Sequence, residues 1–76
     1  MLSESQWEDR AKGLLKAELK RRNLSYMELT ERLGAIGVSE QEPNVRNKIG
    51  RGKFTAVFML QCFEAIGVNV LRLRDE

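Results

Sequence analysis

The tetrapeptide Ala-Ile-Gly-Val occurs twice, at Ala35–Val38 and at Ala65–Val68, and it partitions the chain. A glycine just past the last helical turn adopts the left-handed conformation cheaply, and an apolar residue after it folds back onto the helix it ends. Gly37 is therefore expected to stop one helix with Val38 returning to Leu33, and Gly67 another with Val68 returning to Phe63. The residues around the two copies do not match, so the echo is reuse of a stop signal and not an internal repeat.

Start signals fit these stops. Ser25 and Glu28 form the S-x-x-E capping box, and Leu24 and Leu29 the matching hydrophobic staple. They predict a helix over 26–36 with Leu29, Leu33 and Ile36 inward. Thr55 is a cap, with Phe54 stapling to Met59, for a helix over 55–66. Its expected inner face is Ala56, Met59, Leu60, Phe63 and Ile66; Phe58 and Cys62 lie to one side, where core filling is the default and a subunit contact the alternative. Upstream, Trp7, Ala11, Leu14, Leu15 and Leu19 recur near helical spacing and predict a first helix over 6–22, with Met1–Ser5 frayed. Gly13 inside it costs about 1 kcal/mol relative to alanine, which implies close packing by another element. After Asn69, Val70–Leu73 reads either as a last helical turn or as an edge strand pairing with a second chain. The expected fold is a single all-α domain over 1–76, with four to five short helices.

Between the second and last helices lies Pro43–Lys53, which holds Arg46, Lys48, Arg51 and Lys53 and no acidic residue. Pro43 suits a first helical turn and disfavours helical conformation at Glu42. A third helix over 43–50, ending at Gly50 or Gly52, places Val45 and Ile49 one turn apart on an apolar face. Asn44, Asn47, Lys48 and Arg51 share another face at i, i+3, i+4, i+7 spacing. Asparagine reads adenine edges, and arginine or lysine reads guanine or holds phosphate; a solvated helix with a basic patch is the bland reading of the same residues. The basic run Lys20-Arg21-Arg22 has a structural explanation in the helix dipole and a functional one in phosphate contact. Gly52 either ends the third helix or lets the backbone approach a phosphate.

Composition narrows the chemistry. The chain has 76 residues, of which 42% are hydrophobic, so it supports one thin core that dimerisation would help. Net charge is +2, too small to announce nucleic acid by itself; the clustering of the bases carries that idea. One cysteine and no histidine remove disulfide frameworks, Cys-cluster zinc sites and histidine triads. There is no P-loop or dinucleotide fingerprint, and Cys62 sits in an apolar run with no neighbouring cation, so no enzyme, metal or cofactor is expected. No run approaches the roughly 20 apolar residues of a membrane span, and no signal peptide is evident, so the expected location is the cytoplasm.

The order of helix, connector, basic helix, glycine exit and apolar helix resembles the lambda-repressor-like (Cro/C1-type) helix-turn-helix superfamily, from about Trp7 to Leu73. Leu24–Leu29 corresponds to the opening of the motif's first helix, and Val45–Lys53 to the recognition helix and its exit. More closely, Trp7, Leu14-Leu15-Lys16, Glu18-Leu19, Ser25-Tyr26, Asn44, Arg46-Asn47-Lys48, Arg51–Phe54 and Ala65-Ile66-Gly67 are similar to the pattern of a family of short bacterial proteins of unknown function. One departure is the gap from Leu29 to Val45, longer than the common motif by about one helical turn and a residue or two, which bears on groove docking.

The resemblance implies binding of double-stranded DNA through the major groove and a role as a transcriptional regulator, with a homodimer left open. Asn44, Asn47, Lys48 and Arg51 are the base-edge candidates; Arg22, Arg46, Gly52 and Lys53 are the phosphate candidates. The alternative is a protein-interaction module on the same helical fold, with Tyr26, Met27, Phe58 and Val70–Leu73 as its working surface.

Overall fold

A computed structural model describes residues 1–74. Four helices follow one another: α1 (Glu4–Arg21), α2 (Tyr26–Ala35), α3 (Glu42–Arg51) and α4 (Ala56–Ala65). The described residues contain no strand, so the domain is all-α. Val70–Leu73 is neither a helical turn nor an edge strand; it runs irregularly along α1, where Arg10 Nη2 donates to the Leu73 carbonyl at 3.4 Å. Asp75 and Glu76, the end of the charged tail, lie outside the described residues.

The helix ends form where local chemistry places them. Ser25 and Thr55 cap α2 and α4, accepting from the Glu28 and Phe58 amides at 3.1 and 3.0 Å. Both glycine stops close as the two-bond motif expected of them. Val38 N–H donates to the Leu33 carbonyl and Val68 N–H to that of Phe63, each at 2.9 Å, with Gly37 and Gly67 at φ 86° and 78°. Asn23, at φ 56°, closes α1 in the same way, with Leu24 N–H donating to Leu19 at 2.9 Å. Asparagine is one of the few side chains that tolerates this conformation.

Two helix starts differ from expectation. The N-terminus is not frayed up to Ser5: Ser3 and Gln6 make a reciprocal capping box, and α1 begins at Glu4. Glu42 is not excluded from α3 by Pro43; it is the first helical residue, and Gln41 takes the extended conformation instead. Proline is harmless there because the first four amides of a helix lack intrahelical partners.

The core is Leu15 and Leu19 of α1, Leu29 and Leu33 of α2, Val45 and Ile49 of α3, and Phe58, Cys62, Phe63 and Ile66 around α4. α2 packs against both α3 and α4, and α1 against α3. Each fully buried aliphatic side chain contributes about 1.5–3 kcal/mol, so Val45 and Ile49 hold α3 down along one stripe. Four expected core residues, Trp7, Ile36, Ala56 and Leu60, face solvent; Ile36 lies past the last turn of α2 as its C-cap, and Ala56 is the first residue of α4. Trp7 is 51% exposed, with the Arg10 guanidinium 5.3 Å from its ring centroid. Eight residues before Leu15, it lies about 80° round the helix from that side chain. Leu60 is 63% exposed, and Phe58 and Cys62, placed at the flank, are central. α4 is apolar on nearly every side, so its periodicity could not choose a face. Gly13 meets no other element: a Cβ there would find nothing within 4 Å.

Candidate functional site

α3 is short and carries no side-chain N-cap, so it depends on its anchors. Val45 and Ile49 are fully buried. Gly52 ends the helix in the left-handed conformation at φ 68°, its N–H donating to the Ile49 carbonyl at 3.1 Å. Gly52 is itself buried, and a Cβ there would overlap the Glu8 carbonyl oxygen. Its backbone therefore approaches α1 and is covered by it. The close approach anticipated at Gly13 occurs at Gly52.

With the apolar stripe pinned, the opposite side of α3 faces outward. Asn44, Asn47, Lys48 and Arg51 are exposed and, with Lys53 from the exit, line one shallow hollow. Asn44, Asn47 and Arg51 make no side-chain hydrogen bond or ion pair among the described residues.

The other cations of the region are engaged. Lys48 Nζ donates to Glu40 Oε2 at 2.7 Å and lies 4.8 Å from the Phe58 ring centroid. Arg46 pairs with Glu42 one turn earlier in α3, and Lys53 Nζ lies 3.7 Å from Glu8 Oε2. In each of these pairs the carboxylate is more covered than the cation. Glu42–Arg46 is an i,i+4 pair that exists because Glu42 belongs to α3, against the expectation that Pro43 would exclude it. Glu40–Lys48 and Glu8–Lys53 cross between segments, and no local signal announces them.

Arg46 points along a different flank. It lines a second hollow with Lys16 and Lys20 of α1 and with Leu24, Tyr26 and Met27 at the start of α2. Met27 is 54% exposed at its edge. Phe58 is 4% exposed and belongs to the core, so it offers no working surface.

Arg22 is remote from both hollows in its contacts. Its Nε donates to the Ile66 carbonyl at 3.0 Å, and its guanidinium pairs with Glu18. Glu18 is buried, and Arg21 Nη1 reaches its other oxygen at 2.6 Å. Burial raises the Glu18 pKa, but the hydrogen bonds and charges of Arg21 and Arg22 outweigh it and hold the carboxyl below its ordinary value.

Cys62 is fully buried, and burial above all, with Glu40 adding to it, pushes the thiol up to about 12. Among the described residues no group of His, Cys, Asp and Glu is placed to hold a metal ion. No helix among them is long and apolar enough to cross a membrane.

A family model described as Domain of unknown function (DUF6471) matches residues 7–71. The chain belongs to the DUF6471 family. The match takes in α2, α3 and α4 whole and all but the first turn of α1, so the DUF6471 domain is the entire helical body described above. No curated protein and no solved structure matches the chain.

Proposed function

We propose that this DUF6471 protein is a small sequence-specific double-stranded DNA-binding protein, acting as a transcriptional regulator, that lays α3 in the major groove. In this proposal α2 and α3 are the two helices of a lambda-repressor-like helix-turn-helix, and residues 36–41 are its extended turn. The observation that carries the proposal is the gathering of Asn44, Asn47, Lys48 and Arg51 on one exposed face of a helix pinned by Val45 and Ile49. A rigid rod presenting amides and cations at i, i+3, i+4, i+7 suits reading of base edges.

Asn47 and Arg51 take the base-edge role first, with Asn44 and Lys48 beside them. Arg46 and Lys53 take phosphates. Arg22 and Gly52 have structural duties at Ile66 and Glu8 and drop to the bottom of the phosphate candidates. The protein works in the cytoplasm as a homodimer on paired half-sites, without metal, cofactor or catalysis. Selection of bound sites from random duplex DNA tests this. An enriched palindrome is the expected result; absence of any enriched sequence overturns it.

A second proposal is a protein-interaction module. It is favoured by exposed Met27 beside Tyr26 and Leu24 in the hollow rimmed by Lys16 and Lys20. Salt dependence separates the two. Several phosphate contacts give a steep fall of duplex affinity with salt, whereas the module shows no duplex binding even at low salt.

A further inference from the structure

The region of α3 is nearly balanced in charge. Arg46, Lys48, Arg51 and Lys53 stand against Glu8, Glu40 and Glu42, each carboxylate paired with one cation. Only Arg51 of the four has no ion pair among the described residues. A surface built merely to hold polyanions gains nothing from carboxylates placed on its cations. Glu40 lies in the connector and reaches Lys48 eight residues away; its side chain is 18% exposed against 43% for Lys48. Glu42 sits in the first turn of α3, where the helix dipole favours a negative charge. Both carboxylates are therefore the more covered partners, and the cations the more exposed ones.

We propose that Glu40 and Glu42 are selectivity determinants of this face, built-in competitors that a nucleic acid must displace from Lys48 and Arg46. The proposal rests on the DNA-binding function given above and adds how indiscriminate binding is restrained. A lysine or arginine that meets a phosphate releases condensed counterions from the nucleic acid, and that release drives non-specific binding. When the cation already holds a protein carboxylate, the freed carboxylate takes up a counterion from solution and cancels part of the gain. The two negative charges also repel the phosphate backbone. Lys48 and Arg46 thus contribute little on random duplex. Base-edge contacts from Asn47 and Arg51, which carry no such handicap, decide which duplex is retained.

The test compares Glu40→Gln, Glu42→Gln and, as a control for net charge, Glu64→Gln, an exposed carboxylate of α4 with no ion pair among the described residues. Three readouts are taken on the full chain: elution from heparin, affinity for random duplex as a function of salt, and affinity for the selected duplex. Glu40→Gln and Glu42→Gln are expected to elute from heparin at higher salt than Glu64→Gln. Each is expected to raise random-duplex affinity roughly five-fold and to steepen the log–log salt slope by about 0.9. The selected duplex gains less, so the ratio of specific to random affinity falls. The double variant Glu40→Gln, Lys48→Gln should lose the gain of Glu40→Gln, because the displaced partner is gone. Equal behaviour of all three single variants on heparin, or a gain that persists in full without Lys48, overturns the proposal. A heparin shift at Glu40 and Glu42 with no enriched duplex sequence upholds the restraint on polyanions and overturns the DNA-binding function itself.

Discussion

Arg22 Nε donates to the carbonyl of Ile66 at 3.0 Å, joining the residue that ends α1 to the residue that ends α4. The Ile66 carbonyl belongs to the last turn of a helix and has no intrahelical partner. The guanidinium satisfies it while also holding Glu18, so one side chain closes two helix ends across 44 residues of sequence. Arg22→Gln should lower unfolding stability by roughly 1–3 kcal/mol, the usual loss for a hydrogen bond to a charged group. Arg22→Lys should recover only part of it, because a lysine lacks the planar fork that serves both partners. Urea unfolding measures both. A Lys variant as stable as the parent would mean that charge alone matters and the fork does not.

The same cluster sets an acid limit. Glu18 is held below its ordinary pKa of 4.5 when folded, so its ion pairs stabilise the protein above that value and are lost as pH falls through the lowered one. Glu28 is also lowered, chiefly by the backbone hydrogen bond it accepts at Ser25, and it works in the same window. Glu18→Gln removes only the first contribution. The gap in melting temperature between parent and Glu18→Gln should be widest at neutral pH and close in strong acid, where a protonated Glu18 resembles the glutamine. A gap that stays constant across that range would show that the Arg21–Glu18–Arg22 charges do not matter to stability.

Two glycines at the end of α3, two residues apart, should respond oppositely to alanine. Gly50 lies inside the helix and a Cβ there meets nothing within 4 Å. Gly50→Ala should stabilise by about 0.5–1 kcal/mol through helix propensity. Gly52 combines a left-handed φ of 68° with a Cβ position that overlaps the Glu8 carbonyl. Gly52→Ala should cost about 2–4 kcal/mol, strain and steric overlap together. Thermal unfolding of the two variants side by side decides; a Gly52→Ala protein as stable as the parent would remove the α1–α3 contact as a determinant of where α3 ends.

How much of this was legible follows from the range of each signal. Caps and stops are local chemistry, and Ser25, Thr55, Gly37 and Gly67 act where their neighbours indicate. The S-x-x-Q at Ser3–Gln6 was equally local, and its omission moved the start of α1. The rotation of α3 was legible because only Val45 and Ile49 are apolar in it, so a single stripe is available. The rotation of α4 was not, because Val57, Leu60, Phe58 and Cys62 surround it with apolar groups and only tertiary packing selects among them. Trp7 misled through bulk: a large aromatic near the stripe is counted as core, while half-buried Glu8 is the residue that meets the Gly52 turn. The pairs Glu40–Lys48 and Glu8–Lys53 depend on where a connector and an exit loop pass, which no spacing rule encodes.

Arg51 is the most informative single substitution on the outer face of α3. It is exposed, it shares its hollow with Asn47 and Lys48, and no carboxylate neutralises it among the described residues. An arginine bidentate to guanine discriminates between bases, whereas one on phosphate does not. Arg51→Ala should therefore weaken binding to the selected duplex by roughly 1–3 kcal/mol and relax the preference at one base position, with a much smaller loss on random duplex. Lys53→Ala, in contrast, should weaken both duplexes alike and reduce the salt slope, by less than the full value of about one because Lys53 already faces Glu8. Equal losses from Arg51→Ala on the two duplexes would reassign it to phosphate, and Asn47 would become the leading base-edge residue. No loss on either, in a protein that still binds duplex, would place the contact on another surface, the Lys16–Lys20 flank being the next cationic candidate.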